Sequence, residues 1–584
     1  MLFIKRLHFY LMAMAILLPF PNLFAQTPTT NVIRYADVRN PVYDARGMVV
    51  SANVLASEIG ARVLADGGTA VDAAVAVGFA LSVVLPRAGN IGGGGFMLIY
   101  SNADDKTEAI DYRETAPLAA TRDMFLDSDG DIDIQRARFS HLSVGVPGTI
   151  AGLHLAHEKY GKLPWRRLLE PAINMAKQGI KVSYSMSRAL ERARKRFSRD
   201  SSSLEYFFKE NGEAYLPGEQ FVQTDLAWSL EQIAKHGPDT FYRGEIAEKI
   251  IAEMEKNGGL IDAKSLAAYK PIVRKPVRGT YRGYDIVLMP PSSSGGIHII
   301  QMLNILEHFP VREYGAESAD NVHLLVEVAK LAYADRSKHL GDLDFYDVPI
   351  KWLTSKAYAK DLAAGINMQK ARPSTDIAPG TAPNKESVDT THFSIIDRDG
   401  NMVANTYTLN LSFGSGLSVD GAGFLLNNEM DDFVSKPGVS NAYGLTGGAA
   451  NSIEAGKRPL SSMTPTMLFK DGEPVLATGS PGGSRIIMAV LQMIVNVIDH
   501  GMNISVASSA PRMHHQWLPD VIQLEFGFSP DTISELQRRG HTLQGTKFTI
   551  GSVHSVAWRE GYFLGAADPR RPGGSSVGPT TIQN

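Results

Sequence analysis

The chain has no cysteine. Disulfide bonds, thiolate metal sites and a cysteine nucleophile are thereby excluded, and the core must form without covalent staples, which 584 residues can do. Neither sign of charge is in excess: 58 lysines and arginines oppose 61 acids, and a net charge of −3 supplies no field to gather a polyanion. Nucleic acid is not an expected partner. No His-Glu-x-x-His pattern occurs among the 15 histidines, so a catalytic zinc site lacks support. The glycine-rich stretch from Gly89 to Gly95 neither closes with Gly-Lys-Ser/Thr nor fits Gly-x-Gly-x-x-Gly. It reads as a place of close backbone packing rather than a phosphate cradle.

Two apolar runs need placing. Residues Leu7 to Leu18 follow Lys5 and Arg6 and precede a proline break and Ala25, the layout of a secretory signal peptide spanning 1–25. An uncleaved membrane anchor is the other reading of that run. Export without disulfides fits a bacterial periplasm or the medium. Thr69 to Leu85 is apolar on nearly every face, with Asp72 its only charge. Its alanines, its glycine and its shortness favour a buried core helix over a membrane span.

From Pro147 to about Gly365, apolar residues recur at three- and four-residue spacing, as in "LPWRRLLEPAINMAKQG" and "HIIQMLNILEHF", which predicts helices. "VRGTYRGYDIVLMPPSSSGG" interrupts them with β-type segments. Between Lys370 and Asp389, Pro, Ser, Thr, Asn and Gly replace the periodicity, marking a linker. Strand signals follow: "THFSIID", "MVANTYTL", "GFLLNN", "PTMLFK", "PVLATG", then the helix "RIIMAVLQMIVNVIDHG", then "DVIQLEF", "VHSVAW" and "YFLGAAD". Asp399-Gly400 between two alternating runs predicts a hairpin. A helical half followed by a β-rich half predicts stacked layers of helix and sheet.

Three stretches invite chemistry. "DSDGDID" (Asp127 to Asp133) begins like a calcium loop, but its sixth and twelfth positions are Ile132 and Arg138 instead of Gly and Glu, so it reads as a solvated turn. "TGSPGGSR" (Thr478 to Arg485) does not place Ser480 in Gly-x-Ser-x-Gly, although its glycines can present N–H groups as an anion nest. "VDTTHF" sets two threonines between the linker and a strand. A threonine hydroxyl is a weak nucleophile that needs a base. A threonine made first in its chain by a cut carries that base itself, an α-amino group with a reference pKa of about 7.7 to 8.0. Loose chain just upstream is where a cut is tolerated. On the pair alone, ordinary β-forming threonines are the favoured reading.

The motifs "DYRETAP", "DTTHFS", "TYTLN", "LLNNEMDDF", "KRPLSSMTPT" and "GSPGGSR" occur in this order. With "DGGTAVDAAVA" near the start and "GAADPRR" near the end, the chain resembles the γ-glutamyltranspeptidases, self-cleaving N-terminal-nucleophile hydrolases that take the γ-glutamyl group from glutathione. The resemblance implies an α+β fold, a four-layer αββα sandwich built jointly by two subunits of one precursor. It implies autocleavage between Asp389 and Thr390, giving a large subunit 26–389 and a small subunit 390–584. Thr390 is then the nucleophile for the cut and for catalysis, with Thr408 activating it and Gly482 and Gly483 forming the oxyanion hole. Arg113, Ser461 and Ser462 match the groups that take the α-carboxylate, and Asn410, Glu429 and Asp432 those that take the α-ammonium. Position 429 is Glu where some bacterial relatives have Gln. "KPGVSNAYGLTGG" resembles a lid loop with Tyr443 at its tip. No metal or organic cofactor is implied.

The expected substrates are glutathione and other γ-glutamyl compounds, and the acyl group passes to water or to an amino-acid or peptide amine. A zwitterionic γ-glutamyl group needs a cation and donors beside an anion and acceptors, and Arg113 offers a planar fork for the carboxylate. A related cephalosporin or glutaryl acylase is the nearest rival reading, but a glutaryl group has no ammonium for Asp432. An unprocessed amino-acid-binding protein is the third.

Overall fold

In the strand Gly47–Ser51, successive side chains part to opposite sides: Met48 and Val50 enter one core and Val49 another. Phe96 and Leu98 separate from Met97 and Ile99 in the same way along Gly94–Ser101. A strand that buries both faces this way must lie inside a stack of layers. The structure, a computed structural model, describes residues 38–377, 390–436, 439, 441–442, 445, 447–545 and 549–582.

Two seven-stranded sheets form the centre, every pairing within them antiparallel. One runs Ser575–Val577, Gly47–Ser51, Thr391–Asp397, Met402–Thr408, Gly94–Ser101, Lys106–Tyr112 and Ile272–Arg274. The other runs Val42–Asp44, Tyr562–Ala567, His554–Arg559, Glu473–Thr478, Thr466–Lys470, Tyr284–Leu288 and Val277–Tyr281. Helices Val54–Ala65, Ala70–Val84, Thr149–Tyr160 and Trp165–Gln178 cover the first sheet. Gly295–Leu306, Ala319–His339 and Arg485–Ile498 cover the second. The layers are αββα.

Ala70–Val84 is the expected core helix, with every residue buried. Thr69 and Asp72 close a capping box at its N-terminus, and the Asp72 carboxylate also accepts from the Lys162 and Leu163 N–H groups. Among the described residues no helix is long and apolar enough to cross a membrane. The hairpin forms as expected, with Ile396 opposite Met402 and Gly400 at φ +82° in the turn.

Two expectations are corrected. "GFLLNN" is not a strand: its N–H groups go to different segments, Leu426 to the Leu417 carbonyl, Asn427 to Gly92 and Asn428 to Leu409. Burial alone gave it strand-like composition. Sixteen of the nineteen described α-helices precede the linker, as expected, but so do seven of the fourteen strands of the two large sheets, so the β structure is not confined to the second half. Pieces as short as Val42–Asp44 and Ile272–Arg274 are too brief to display a period.

Candidate active site

Thr390 directly precedes the strand Thr391–Asp397, in the middle of the first sheet. The register sets Thr391 opposite Tyr407, so Thr390 comes beside Thr408, and their Oγ1 atoms lie 3.4 Å apart. Either hydroxyl can donate. The Thr408 hydroxyl accepts from the Asn410 N–H at 2.9 Å, where the chain turns through φ +73°. Its carbonyl accepts from Asn90 Nδ2 at 2.9 Å, and Asn90 Oδ1 accepts from the Gly93 N–H at 2.8 Å. The glycine-rich loop therefore positions Thr408 by close backbone packing. Arg571, in "DPRR", donates to the Thr390 carbonyl at 3.3 Å. His392 offers no base, because Thr406 Oγ1 at 2.7 Å and Ser394 Oγ at 2.9 Å take both its ring nitrogens.

One cavity is lined by Thr390, Thr408, Arg113, Arg336, Glu429, Asp432, Ser461, Ser462 and Gly483, with Leu445, Leu460, Met463 and Ile486 as its apolar wall. Arg113 follows the strand Lys106–Tyr112, is fully buried, and forks onto Glu429 and Asp432 of the short turn Glu429–Asp432. Its Nε donates to the Pro459 carbonyl at 3.2 Å, and Glu114 lies 3.7 Å away. Burial works against the Arg113 charge, but the three surrounding carboxylates hold its pKa above the ordinary value. Burial pushes the Asp432 carboxyl up to about 6 and Glu114 up to about 7, against the pull of Arg113. Glu429 is held well above the usual carboxylate range, also by burial first. The pocket is thus acid-rich and buried, and burial disfavours the ionised form of its carboxylates, which an entering ammonium would restore.

Gly482 and Gly483 lie between the strand Glu473–Thr478 and the buried helix Arg485–Ile498, at φ +141° and +56°. Side chains other than glycine rarely adopt these angles, and the loop sits at the positive end of a helix dipole. Gly483 reaches the cavity. Ser461 is fixed on both sides, its N–H to the Ser292 carbonyl and its carbonyl from the Ser294 N–H, each at 2.8 Å.

Not every expected residue converges. The Asn410 side chain donates to the Asn428 carbonyl at 2.9 Å and does not line the cavity. Asp389, Tyr443 and the signal segment 1–25 lie outside the described residues. "DSDGDID" is an exposed turn in which the Asp127 carboxylate accepts from the N–H groups of Asp129 and Asp131. Among the described residues, His323, Glu327 and His541 are grouped closely enough to ligate a metal. Their atoms already pair with one another, with Lys330 and with the Asn367 carbonyl, and none of the three lines the cavity. Sequence reading missed Arg336, Glu114 and Arg571. Glu114 and Arg571 stood inside quoted motifs, whereas Arg336 carried no local signal.

The sequence profile described as Gamma-glutamyltranspeptidase matches residues 56–578. The glutathione hydrolase proenzyme of Escherichia coli (strain K12) is 52% identical over 535 residues, covering 91% of this chain and 92% of that one. The crystal structure of a cephalosporin acylase from Bacillus halodurans superposes with a TM-score of 0.82 at 28% identity, over 94% of this chain and 98% of that one. The Helicobacter pylori gamma-glutamyltranspeptidase structure gives a TM-score of 0.56 at 45% identity, over 60% of this chain and 97% of that one. The fold is thus shared with acylases, while sequence identity is higher toward the glutathione hydrolases. With that match and an αββα stack that sets a threonine at the head of a central strand, the chain belongs to the gamma-glutamyltranspeptidase family.

Proposed function

We propose that this protein is an exported, self-processing glutathione hydrolase and γ-glutamyltransferase. The observation that carries the reading is the convergence of Thr390, the Arg113–Glu429–Asp432 cluster and Gly483 on one cavity. In the precursor, the Thr390 hydroxyl attacks the Asp389 carbonyl carbon, and the Asp389–Thr390 amide becomes an ester that water cleaves. This frees the α-amino group of Thr390 and yields subunits 26–389 and 390–584.

In turnover the Thr390 hydroxyl attacks the γ-carbonyl carbon of the substrate, and its proton passes to the α-amino group. Thr408 holds the hydroxyl in line. Gly482 and Gly483 donate N–H groups to the oxyanion, where loss of one donor costs roughly a hundredfold or more in rate. The amine leaves with the proton, and the γ-glutamyl ester on Thr390 is then broken by water, giving glutamate, or by an amino-acid or peptide amine, giving transfer.

The substrate's ammonium goes to Glu429 and Asp432, with Asn410 behind them, and its carboxylate to Arg113, Ser461 and Ser462. Binding therefore replaces the internal ion pairs of Arg113 with pairs to the ligand, leaving no charge alone. An unpaired charge in such a site costs about 2 to 5 kcal/mol, which makes the pocket selective for the zwitterion. Tyr443 is assigned to a gate over this pocket on the family's pattern.

The acylase reading is tested by comparing γ-glutamyl-anilide with glutaryl-anilide, which lacks only the ammonium. A strong preference for γ-glutamyl-anilide is expected. A preference for glutaryl-anilide would overturn the assignment in favour of the acylase.

A further inference from the structure

Arg336 comes from the last turns of the 21-residue helix Ala319–His339, yet its guanidinium ends in the cavity beside Thr390. It is 5% exposed. Its Nε donates to Ser294 Oγ at 3.0 Å and its Nη2 to Ser462 Oγ at 3.4 Å. The Ser294 hydroxyl in turn donates to the Ser461 carbonyl at 2.8 Å. One side chain thus braces both serines of the pocket, Ser462 directly and Ser461 through Ser294.

The charge pattern around it differs from that of Arg113. Arg113 already holds Glu429 and Asp432, whereas no described carboxylate lies within ion-pair distance of Arg336. A buried cation without an anion of its own is costly. Burial accordingly pulls the Arg336 guanidinium down to about 10, with Tyr333 and then Asp432 opposing it only through space. Because Ser462 Oγ accepts from Arg336, its own O–H is left to donate, and a carboxylate oxygen is the acceptor that would satisfy hydroxyl and cation together.

We infer that Arg336 is a positioning and specificity-determining residue for the substrate's α-carboxylate, orienting the Ser461 and Ser462 donors and supplying a positive charge not committed to an internal pair. The inference rests on the γ-glutamyl reading of the pocket. Arg113 alone would have to release two carboxylates to take a third. With Arg336 behind the serines, the ammonium can take over Glu429 and Asp432 while the carboxylate meets two cations.

The test uses the purified, processed enzyme with Arg336→Gln, Arg336→Lys and Ser462→Ala, and two substrates of equal length. γ-Glutamyl-anilide carries the α-carboxylate, and 4-aminobutyryl-anilide keeps the ammonium but lacks it. Arg336→Gln is expected to raise KM for γ-glutamyl-anilide about tenfold, the worth of a hydrogen bond to a charged group, with kcat within about threefold of wild type. The preference for γ-glutamyl- over 4-aminobutyryl-anilide should shrink by the same factor. Arg336→Lys should recover most of the loss, and Ser462→Ala should reproduce the KM pattern. Equal losses on both substrates in Arg336→Gln, or an unchanged preference in it and in Ser462→Ala, would overturn the inference. Failure of the underlying reading looks different, since wild-type enzyme would then prefer glutaryl-anilide.

Discussion

At the scale of single residues, the pocket is governed by how few cations serve its acids. Asp432 touches Arg113 and is pushed by burial up to about 6. A carboxyl raised this way is charged above pH 6 and neutral below it, so its hold on an ammonium weakens as pH falls through 6. KM for γ-glutamyl-anilide, measured from pH 8 to pH 5, should therefore climb below pH 6 in the wild type. Asp432→Asn should raise KM at least about tenfold at pH 8 and flatten that climb. A wild-type KM independent of pH across this range would contradict the assignment. The cluster was legible in part: Arg113, Glu429 and Asp432, which meet in one cavity, stood in motifs whose proposed chemistry suits a zwitterion. Arg336 was not, because "ADRSKH" reads as the solvated last turn of a helix and only the packing of Ala319–His339 turns it inward.

At the scale of elements, the placement of Thr390, the proposed nucleophile, depends on the end of the strand Met402–Thr408 being held from behind. A Cβ on Gly93 would meet the Thr408 carbonyl oxygen at 2.0 Å and Asn90 Oδ1 at 2.7 Å, both parts of the hydrogen-bonded brace. Gly93→Ala must therefore push Thr408 away from Thr390. It is expected to cost about 1 to 3 kcal/mol in thermal or denaturant unfolding, as overpacking does, and to leave a fraction of the precursor uncut. Wild-type melting together with complete processing would refute the brace. The sequence showed this loop as a site of close packing without showing what it packs on. The hairpin after Thr390 was legible because Asp399-Gly400 fixes its turn chemically, whereas the buried irregular segment "GFLLNN" was not, its backbone partners being remote in sequence.

At the scale of the whole molecule, a cut at Asp389–Thr390 does not divide the fold. The strand Thr391–Asp397 sits between Gly47–Ser51 from before the cut and Met402–Thr408 from after it, and both sheets interleave strands in this way. The two fragments should thus elute as one species in native buffer and part only in denaturant. The layered architecture was legible from the strand and helix patterns, but the interleaving was not, because the pairings across the cut join residues hundreds of positions apart. The central claim, that Thr390 cuts its own chain and then serves as its nucleophile, is tested most directly by mass spectrometry of the denatured protein beside Thr390→Ala. The wild type should give a fragment of residues 390–584 whose first residue is Thr390, with bands of about 40 and 20 kDa as judged from 63.4 kDa for the whole chain. Thr390→Ala should give one uncut chain; cutting that persists in the variant, or a wild-type fragment that begins elsewhere, would contradict the account.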